Sequence, residues 1–242
     1  MASNYPMLKA YNVDIVLCID CTESMDNILN IVKERALSFY GDVDRSIRAK
    51  DKRIDRLRVR VVAFRDYQAY ADEQDKHAHL NEPMLVTDFF DLPAEAHKLE
   101  LSVRSLQPVG GGDDPEDGLE ALAYAIRSDW SVDDAATHRH LIVLWTDQPP
   151  HELGFGRRSS RYPRGMARDL DELTEWWGDS YDLGCMPRQS AKRLILFAPD
   201  EGAWTTIFNT WDNVLHLPSR AGDHLRDVDY EMILKSISQS IA

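Results

Sequence analysis

The fold of this chain is decided by one stretch, DIVLCIDCTESM, which runs from Asp14 to Met25. Its apolar run, Ile15 to Ile19, is continuous rather than alternating, and this predicts a strand covered on both faces by helices. Oxygen-bearing side chains follow at once. Asp20, Thr22 and Ser24 alternate along the chain, and residues at i, i+2 and i+4 of an extended segment point the same way. We therefore expect these three side chains to converge at the tip of a central strand.

The convergent side chains are one carboxylate and two hydroxyls. Such oxygen donors suit Mg²⁺, Mn²⁺ or Ca²⁺ rather than zinc. The carboxyl end of a parallel strand is also where open α/β sheets bind ligands. An ordinary Ser or Thr helix cap after the strand is the alternative interpretation of this motif alone.

A second informative stretch is VGGGDDPEDG, residues 109–118. Its three glycines allow the backbone to approach a bound ion closely. Asp114 as N-cap, Pro115 at the first helical position and Asp117 three residues after the cap predict a helix that continues through Ile126. This arrangement explains Asp114 and Asp117 but not Asp113. Asp113 is therefore a candidate metal ligand.

A third stretch, HLIVLWTDQPPH, covers residues 140–151. It is again an apolar strand that ends in an aspartate, Asp147, and the prolines that follow direct the chain out of the sheet. We expect Asp147 to lie at the same edge of the sheet as Asp20.

Together, the three stretches resemble the von Willebrand factor A (vWA) domain family and its metal-ion-dependent adhesion site, in the Asp-x-Thr-x-Ser variant. In that family the glycine loop commonly supplies a Thr, which Asp113 replaces here, and the last Asp often acts through water. Glu116 matches an Asp-x-Pro-Glu pattern of integrin β-type domains. The resemblance implies a metal site made of Asp20, Thr22, Ser24, Asp113, Asp147 and Glu116.

The remaining sequence alternates strand and helix patterns and predicts an α/β fold. We expect a doubly wound, mostly parallel central sheet, Rossmann-like, with helices on both faces and one antiparallel edge strand at Met84 to Phe90. A second strand is predicted at Leu57 to Phe64, and helices at residues 25–40, 162–177 and 228–241. We expect one vWA domain over residues 1–242.

The composition restricts the partners and the compartment. A net charge of -13 argues against nucleic acid or an anionic membrane as a partner. No apolar run approaches the roughly 20 residues that cross a bilayer. The three cysteines favour a reducing compartment, so we expect a cytoplasmic protein. Cys18 and Cys21 form a C-x-x-C pattern. Asp20 lies between them, and its negative charge makes a reactive thiolate costly, so the pattern favours two small buried hydrophobes over a redox pair.

The predicted function is binding rather than catalysis. The glycine loop lacks the lysine of a phosphate-binding loop, and no nucleophile with an adjacent base is evident. The resemblance implies that a partner protein presents an Asp or Glu to the metal, within a multi-protein assembly. The alternative is a metal-dependent hydrolase in which Asp147 or His151 is the base toward a metal-bound water.

Two further groups of residues are expected on the same rim as the metal. Arg65 and Asp66 end the second strand; either Asp66 reaches the outer shell of the ion, or Arg65 and Asp66 pair with neighbours and close the rim. The loop after Asp147 is basic and either steers an acidic partner or is merely solvated. Its arginines are Arg157, Arg158, Arg161 and Arg164.

Overall fold

The chain is described by a computed structural model over residues 9–68, 82–110, 115–133, 136–179 and 184–242. Within these residues, seven strands form one sheet in the order β3-β2-β1-β5-β6-β7, with β4 also paired to β2. The strands are β1 (Lys9–Asp20), β2 (Lys52–Phe64), β3 (Met84–Val86), β4 (Phe90–Leu92), β5 (Thr137–Trp145), β6 (Lys192–Pro199) and β7 (Val214–Ser219).

The sheet is parallel except along one edge. Strands β1, β2, β5, β6 and β7 run parallel, whereas β3 and β4 pair antiparallel with successive parts of β2. The predicted fold class is therefore confirmed. The antiparallel edge consists of two short segments in line, where the sequence predicted one strand.

Helices cover both faces of the sheet. One face carries α1 (Asp26–Arg35), α2 (Phe39–Arg48), α3 (Ala96–Ser105) and α7 (Tyr230–Ile241). The other carries α4 (Gly118–Ile126), α5 (Leu170–Trp177) and α6 (Ala203–Thr210). No helix among the described residues combines the length and apolar character needed to cross a bilayer.

The central strand β1 contributes to the core on both sides of the sheet. Ile15, Leu17 and Ile19 pack on one face, and Val16 and Cys18 pack on the other. All five are at most 5% exposed. The continuous apolar run in the sequence thus reflects a strand with a hydrophobic core on each face.

The two cysteines of the C-x-x-C lie in different cores, Cys18 on one face of the sheet and Cys21 on the other. Both are free and buried. Burial raises the pKa of Cys21 to about 12, although the charge of Arg65 opposes the rise. Both thiols are therefore protonated at neutral pH and act as small buried hydrophobes, as predicted.

The prediction of one helix over residues 25–40 is wrong. A short 3₁₀ turn precedes α1, which ends at Arg35, and α2 continues from Phe39 through Gly41 to Arg48. Phe39, Val43 and Ile47 are buried at four-residue spacing, so a helical stripe exists within a stretch rich in charge. Strand β2 accordingly begins at Lys52, five residues before the predicted start.

The helix predicted over residues 162–177 is shorter than expected. It begins at Leu170, where the side chain of Asp169 accepts a hydrogen bond of 2.9 Å from the backbone N–H of Glu172. This N-cap satisfies a free amide of the first turn. Residues 162–169 form turns, with Gly165 at a φ of +73°.

The predicted start of α4 is also wrong. The helix begins at Gly118, because Glu116 is in an extended conformation and forms a parallel bridge with Pro150. The carboxylate of Asp117 does not cap the helix and instead accepts a 2.6 Å hydrogen bond from the N–H of Tyr67. Asp113 and Asp114 lie outside the described residues.

Candidate metal centre

The candidate site lies between the carboxyl ends of β1 and β5. Asp20 is the last residue of β1, and Thr146 and Asp147 directly follow β5. The chain leaves β1 toward β2 on one side, while β5 lies on the other, so the strand order reverses between β1 and β5. Such a switch point opens a crevice where α/β sheets bind ligands.

Asp20 is fully buried and holds three hydrogen bonds. Its Oδ1 accepts from the hydroxyl of Thr22 at 2.6 Å and from the backbone N–H of Thr22 at 2.9 Å, and its Oδ2 accepts from the hydroxyl of Thr146 at 2.8 Å. Burial nevertheless raises the pKa of Asp20 to about 6, and the negative charge of Asp147 adds to the rise. A bound cation would oppose both influences.

Asp147 is held from two sides. Its Oδ1 accepts a 2.7 Å hydrogen bond from the hydroxyl of Ser24, and its Oδ2 accepts a 3.1 Å bond from the N–H of His224. The hydroxyls of Thr22 and Ser24 are 3.3 Å apart. Asp20, Thr22, Ser24 and Asp147 therefore form one continuous chain of polar contacts.

One wall of the site comes from the connection between β7 and α7, which sequence reasoning missed. The N–H of Gly222 donates to the carbonyl of Asp147 at 2.8 Å, and Nδ1 of His224 lies 2.8 Å from the carbonyl oxygen of Ser24. His224 and Leu225 adopt φ values of +63° and +47°. The available signal was only that this connection also leaves the carboxyl end of a parallel strand.

Arg65 holds the loops next to the site. Its guanidinium donates to the carbonyl oxygens of Val109 (2.9 Å), Gln107 (2.6 Å) and Glu82 (3.0 Å). The structural alternative for this residue is therefore correct. The start of the glycine loop then meets the metal motif, since the N–H of Val109 donates to the carbonyl of Cys21 at 3.1 Å.

Two acidic residues, Glu116 and the Glu23 that lies between Thr22 and Ser24 in the chain, differ in their exposure to solvent. Glu116 is 2% exposed, and its carbonyl accepts a 2.9 Å hydrogen bond from the N–H of His151, close to the segment that follows Asp147. Glu23 is exposed. Metal binding by Glu116 and by Asp113 stays a prediction.

Asp66 and His151 lie in a second polar cluster. One ligand atom from each of Asp66, Asp117 and His151 lies within 4.8 Å of the other two, and all three residues are buried. His151 is 5% exposed and therefore does not lie at the surface, and its ring stacks on that of Phe155 with centroids 4.0 Å apart. Asp117 was predicted to take part only in capping the helix, so the cluster was not evident from the sequence.

The donor chemistry of the first site fits a hard divalent cation. Asp20 supplies a carboxylate, and Thr22 and Ser24 supply hydroxyls on the same side of the loop. Mg²⁺, Mn²⁺ and Ca²⁺ prefer such oxygen ligands. A hydroxyl that donates its hydrogen still has lone pairs to offer a cation, so the observed hydrogen bonds are compatible with metal binding.

A comparison with protein-family models finds no match, and a comparison with curated proteins finds none. Among solved structures, the chain is similar to the pilus adhesin SpaC from Lactobacillus rhamnosus GG, at 13% identity and a TM-score of 0.47 over 95% of this chain and 30% of that chain. It is also similar to the vWF domain of the type V pili tip protein Mfa5 from Porphyromonas gingivalis, at 18% identity and a TM-score of 0.36 over 58% of this chain and 39% of that chain.

The chain therefore spans less than half the length of either of these two proteins. Both TM-scores are below 0.5. This chain is vWA-like in its own strand order, in the two motifs at the ends of β1 and β5, and in the glycine stretch between α3 and α4.

Proposed function

We propose that this vWA-like chain is a protein-protein interaction module that docks a carboxylate of its partner on a divalent cation. The cation is held by Asp20, Thr22 and Ser24, with Asp147 close by and Asp113 and Glu116 as further ligands. Mg²⁺ is the expected cation in cells, and Mn²⁺ or Ca²⁺ can replace it. The observation that carries the proposal is the polar chain from Asp20 to Asp147 at the switch point of the sheet.

Each residue has a distinct part in this mechanism. Asp20 contributes a direct carboxylate, and Thr22 and Ser24 contribute neutral hydroxyls. Asp147 is already engaged by Ser24 and His224, which favours contact through water. Asp20 is the one direct carboxylate among Asp20, Thr22, Ser24 and Asp147, so an ion held by these four residues would retain positive charge and accept a carboxylate from outside. Direct ligation by Asp113 or Glu116 would reduce that charge.

The exposure of the site supports access from one side. Asp20 and Asp147 are fully buried, whereas Ser24 is only partly buried. A partner carboxylate would therefore approach past Ser24. Arg158 and Arg164, in the basic loop after Asp147, are exposed, and we propose that they meet neighbouring acidic groups of the partner.

Docking is preferred to hydrolysis. A cleft of about 600 Å³ has His151 in its wall, but its lining does not include Asp20, Thr22, Ser24 or Asp147. A substrate bound in this cleft would therefore not lie directly on the proposed cation. Two free cysteines buried in separate cores are in keeping with a cytoplasmic location, which we include in the proposal.

The test is affinity purification of partners from the native lysate, with the chain as bait, in Mg²⁺ and in EDTA. We expect specific partners with the wild-type chain in Mg²⁺, and their loss in EDTA and with Asp20→Ala or Ser24→Ala. Glu34→Ala removes an exposed carboxylate on α1 and is the matched control. Recovery of the same partners in EDTA would contradict the proposal.

A further inference from the structure

We infer that Asp66, Asp117 and His151 form a second cation site, suited to a metal such as Zn²⁺ that accepts nitrogen as well as oxygen ligands. This site shares no ligand with the proposed docking centre and does not depend on the proposed function. Its ligands come from three segments: the end of β2, the start of α4 and the loop after β5.

The distances are close to those of a metal site. The three ligand atoms lie within 4.8 Å of one another, and ligands about 2.1 Å from a tetrahedral zinc are about 3.4 Å apart. Closing the difference requires about 1 Å of side-chain movement. One imidazole nitrogen with two carboxylate oxygens is a donor set that zinc accepts, whereas Mg²⁺ prefers oxygen alone.

Backbone N–H groups of neighbouring residues hold the two carboxylates, and a ring stack holds the imidazole. The N–H of Gln68 donates to Oδ1 of Asp66 and the N–H of Tyr67 donates to Oδ2 of Asp117, both at 2.6 Å. The imidazole of His151 is stacked on Phe155. These contacts restrict the rotation of each ligand before any metal binds, as metal sites require.

Buried negative charge favours a cation at this cluster. Asp66 and Asp117 are fully buried, and Glu120, one helical turn after Asp117, is fully buried with no hydrogen-bond partner for its Oε2. Burying several carboxylates close together is costly, and a bound cation would reduce this cost.

The cluster can be reached from solvent. His151, 5% exposed, lines the cleft of about 600 Å³ together with polar side chains that include Glu152, Arg168 and Asp169. Zinc bound by three protein ligands has room for a fourth ligand from outside. A small anionic or water ligand could occupy that position from the cleft.

The experiment uses the untagged chain with the Asp20→Ala change, which removes the first site. Zn²⁺ binding is measured by equilibrium dialysis, and Co²⁺ is used as a spectroscopic substitute. We expect one Zn²⁺ per chain and the intense visible absorption of four-coordinate Co²⁺. Adding His151→Gln or Asp117→Asn should weaken Zn²⁺ binding at least about 100-fold, whereas His97→Gln, an exposed histidine, should leave it unchanged.

Two outcomes would overturn the inference. One is no Zn²⁺ and no four-coordinate Co²⁺ spectrum in the Asp20→Ala chain, a result that needs no further variant to fold. The other is unchanged Zn²⁺ binding in both His151→Gln and Asp117→Asn, with thermal melting in EDTA as the check on folding. Because the first site is absent throughout, neither outcome bears on the docking proposal.

Discussion

The hydroxyl of Ser24 donates a 2.7 Å hydrogen bond to Oδ1 of Asp147, across a separation of 123 residues in sequence. This bond joins the loop after β1 to the loop after β5. It also fixes the role of each group, because the hydroxyl gives its hydrogen to Asp147 and can direct its lone pairs at a cation.

Replacing Ser24 by alanine should remove both a cation ligand and the anchor of Asp147. We expect the Mg²⁺ dissociation constant to rise about 10- to 100-fold. In EDTA the melting temperature should change little, because Ser24 is partly exposed. Calorimetric titration with Mg²⁺ measures the first effect, and a Ser24→Ala chain that binds Mg²⁺ like the wild type would exclude Ser24 as a ligand.

His224→Ala should have a smaller effect than Ser24→Ala. The substitution removes the imidazole contact to the carbonyl oxygen of Ser24 but keeps the backbone N–H that holds Asp147. We expect a loss of Mg²⁺ affinity of about 10-fold or less. The same titration tests it, and a loss as large as that of Ser24→Ala would show that the imidazole has a more direct role.

The role of the basic loop after Asp147 in steering a partner can be tested at arginines that do not hold the loop together. Arg157 donates to the carbonyl of Arg168, and Arg161 forms a 3.3 Å ion pair with Glu82, so changing either would disturb the loop itself. Arg158 and Arg164 are exposed. Arg158→Glu with Arg164→Glu should slow association with the native partner and reduce its salt dependence, since each exposed pair adds roughly 0–1 kcal/mol but the charges together steer approach.

Surface plasmon resonance at two salt concentrations measures this effect. Mg²⁺ affinity should remain that of the wild type, which separates steering from damage to the metal site. Unaltered association rates in the double variant would assign the loop a purely solvated role.

Acid should destabilise the chain partly through His140. Burial lowers the pKa of His140 to about 4, while the charge of Asp14 opposes this and those of His138 and Arg188 add to it. The unfolded chain, with a histidine pKa of about 6.5, then binds more protons, so stability is lost as the pH falls from about 6.5 through about 4. The shift corresponds to about 3 kcal/mol.

His140→Gln keeps an N–H donor for the carbonyl of Ser131, which His140 contacts through Nε2 at 2.9 Å, and removes the titration. Urea unfolding at about pH 7 and about pH 4 should therefore show a smaller acid-induced loss of stability in the variant than in the wild type. Equal losses in both proteins would mean that other groups cause the acid sensitivity.

The fold class and the tip of β1 could be predicted from the sequence because both depend on residues that are neighbours in the chain. The run Ile15 to Ile19 is apolar on both faces, and the polar residues after it alternate regardless of what packs on them. The bounds and the buried face of helix α2 were not predicted, because its stripe of Phe39, Val43 and Ile47 lies among charged residues.

Contacts between segments that are distant in sequence could not be predicted from local patterns. His224 reaches Ser24 and Asp147 only because β7 and α7 are joined above the same sheet edge. Asp117 had a sufficient local explanation as a helix residue, so nothing in its neighbourhood indicated that it meets His151. Tertiary packing, rather than local sequence propensity, determines the contacts of both His224 and Asp117.

The most direct test of the central claim is a calorimetric titration of Mg²⁺ into the wild-type chain and into Asp20→Ala. Asp20 is the buried carboxylate to which Thr22 and Thr146 both donate, so its loss removes the negative charge on which cation binding depends. We predict saturable binding in the wild type and no measurable heat of binding in Asp20→Ala. Equal Mg²⁺ binding by the two proteins would contradict the account.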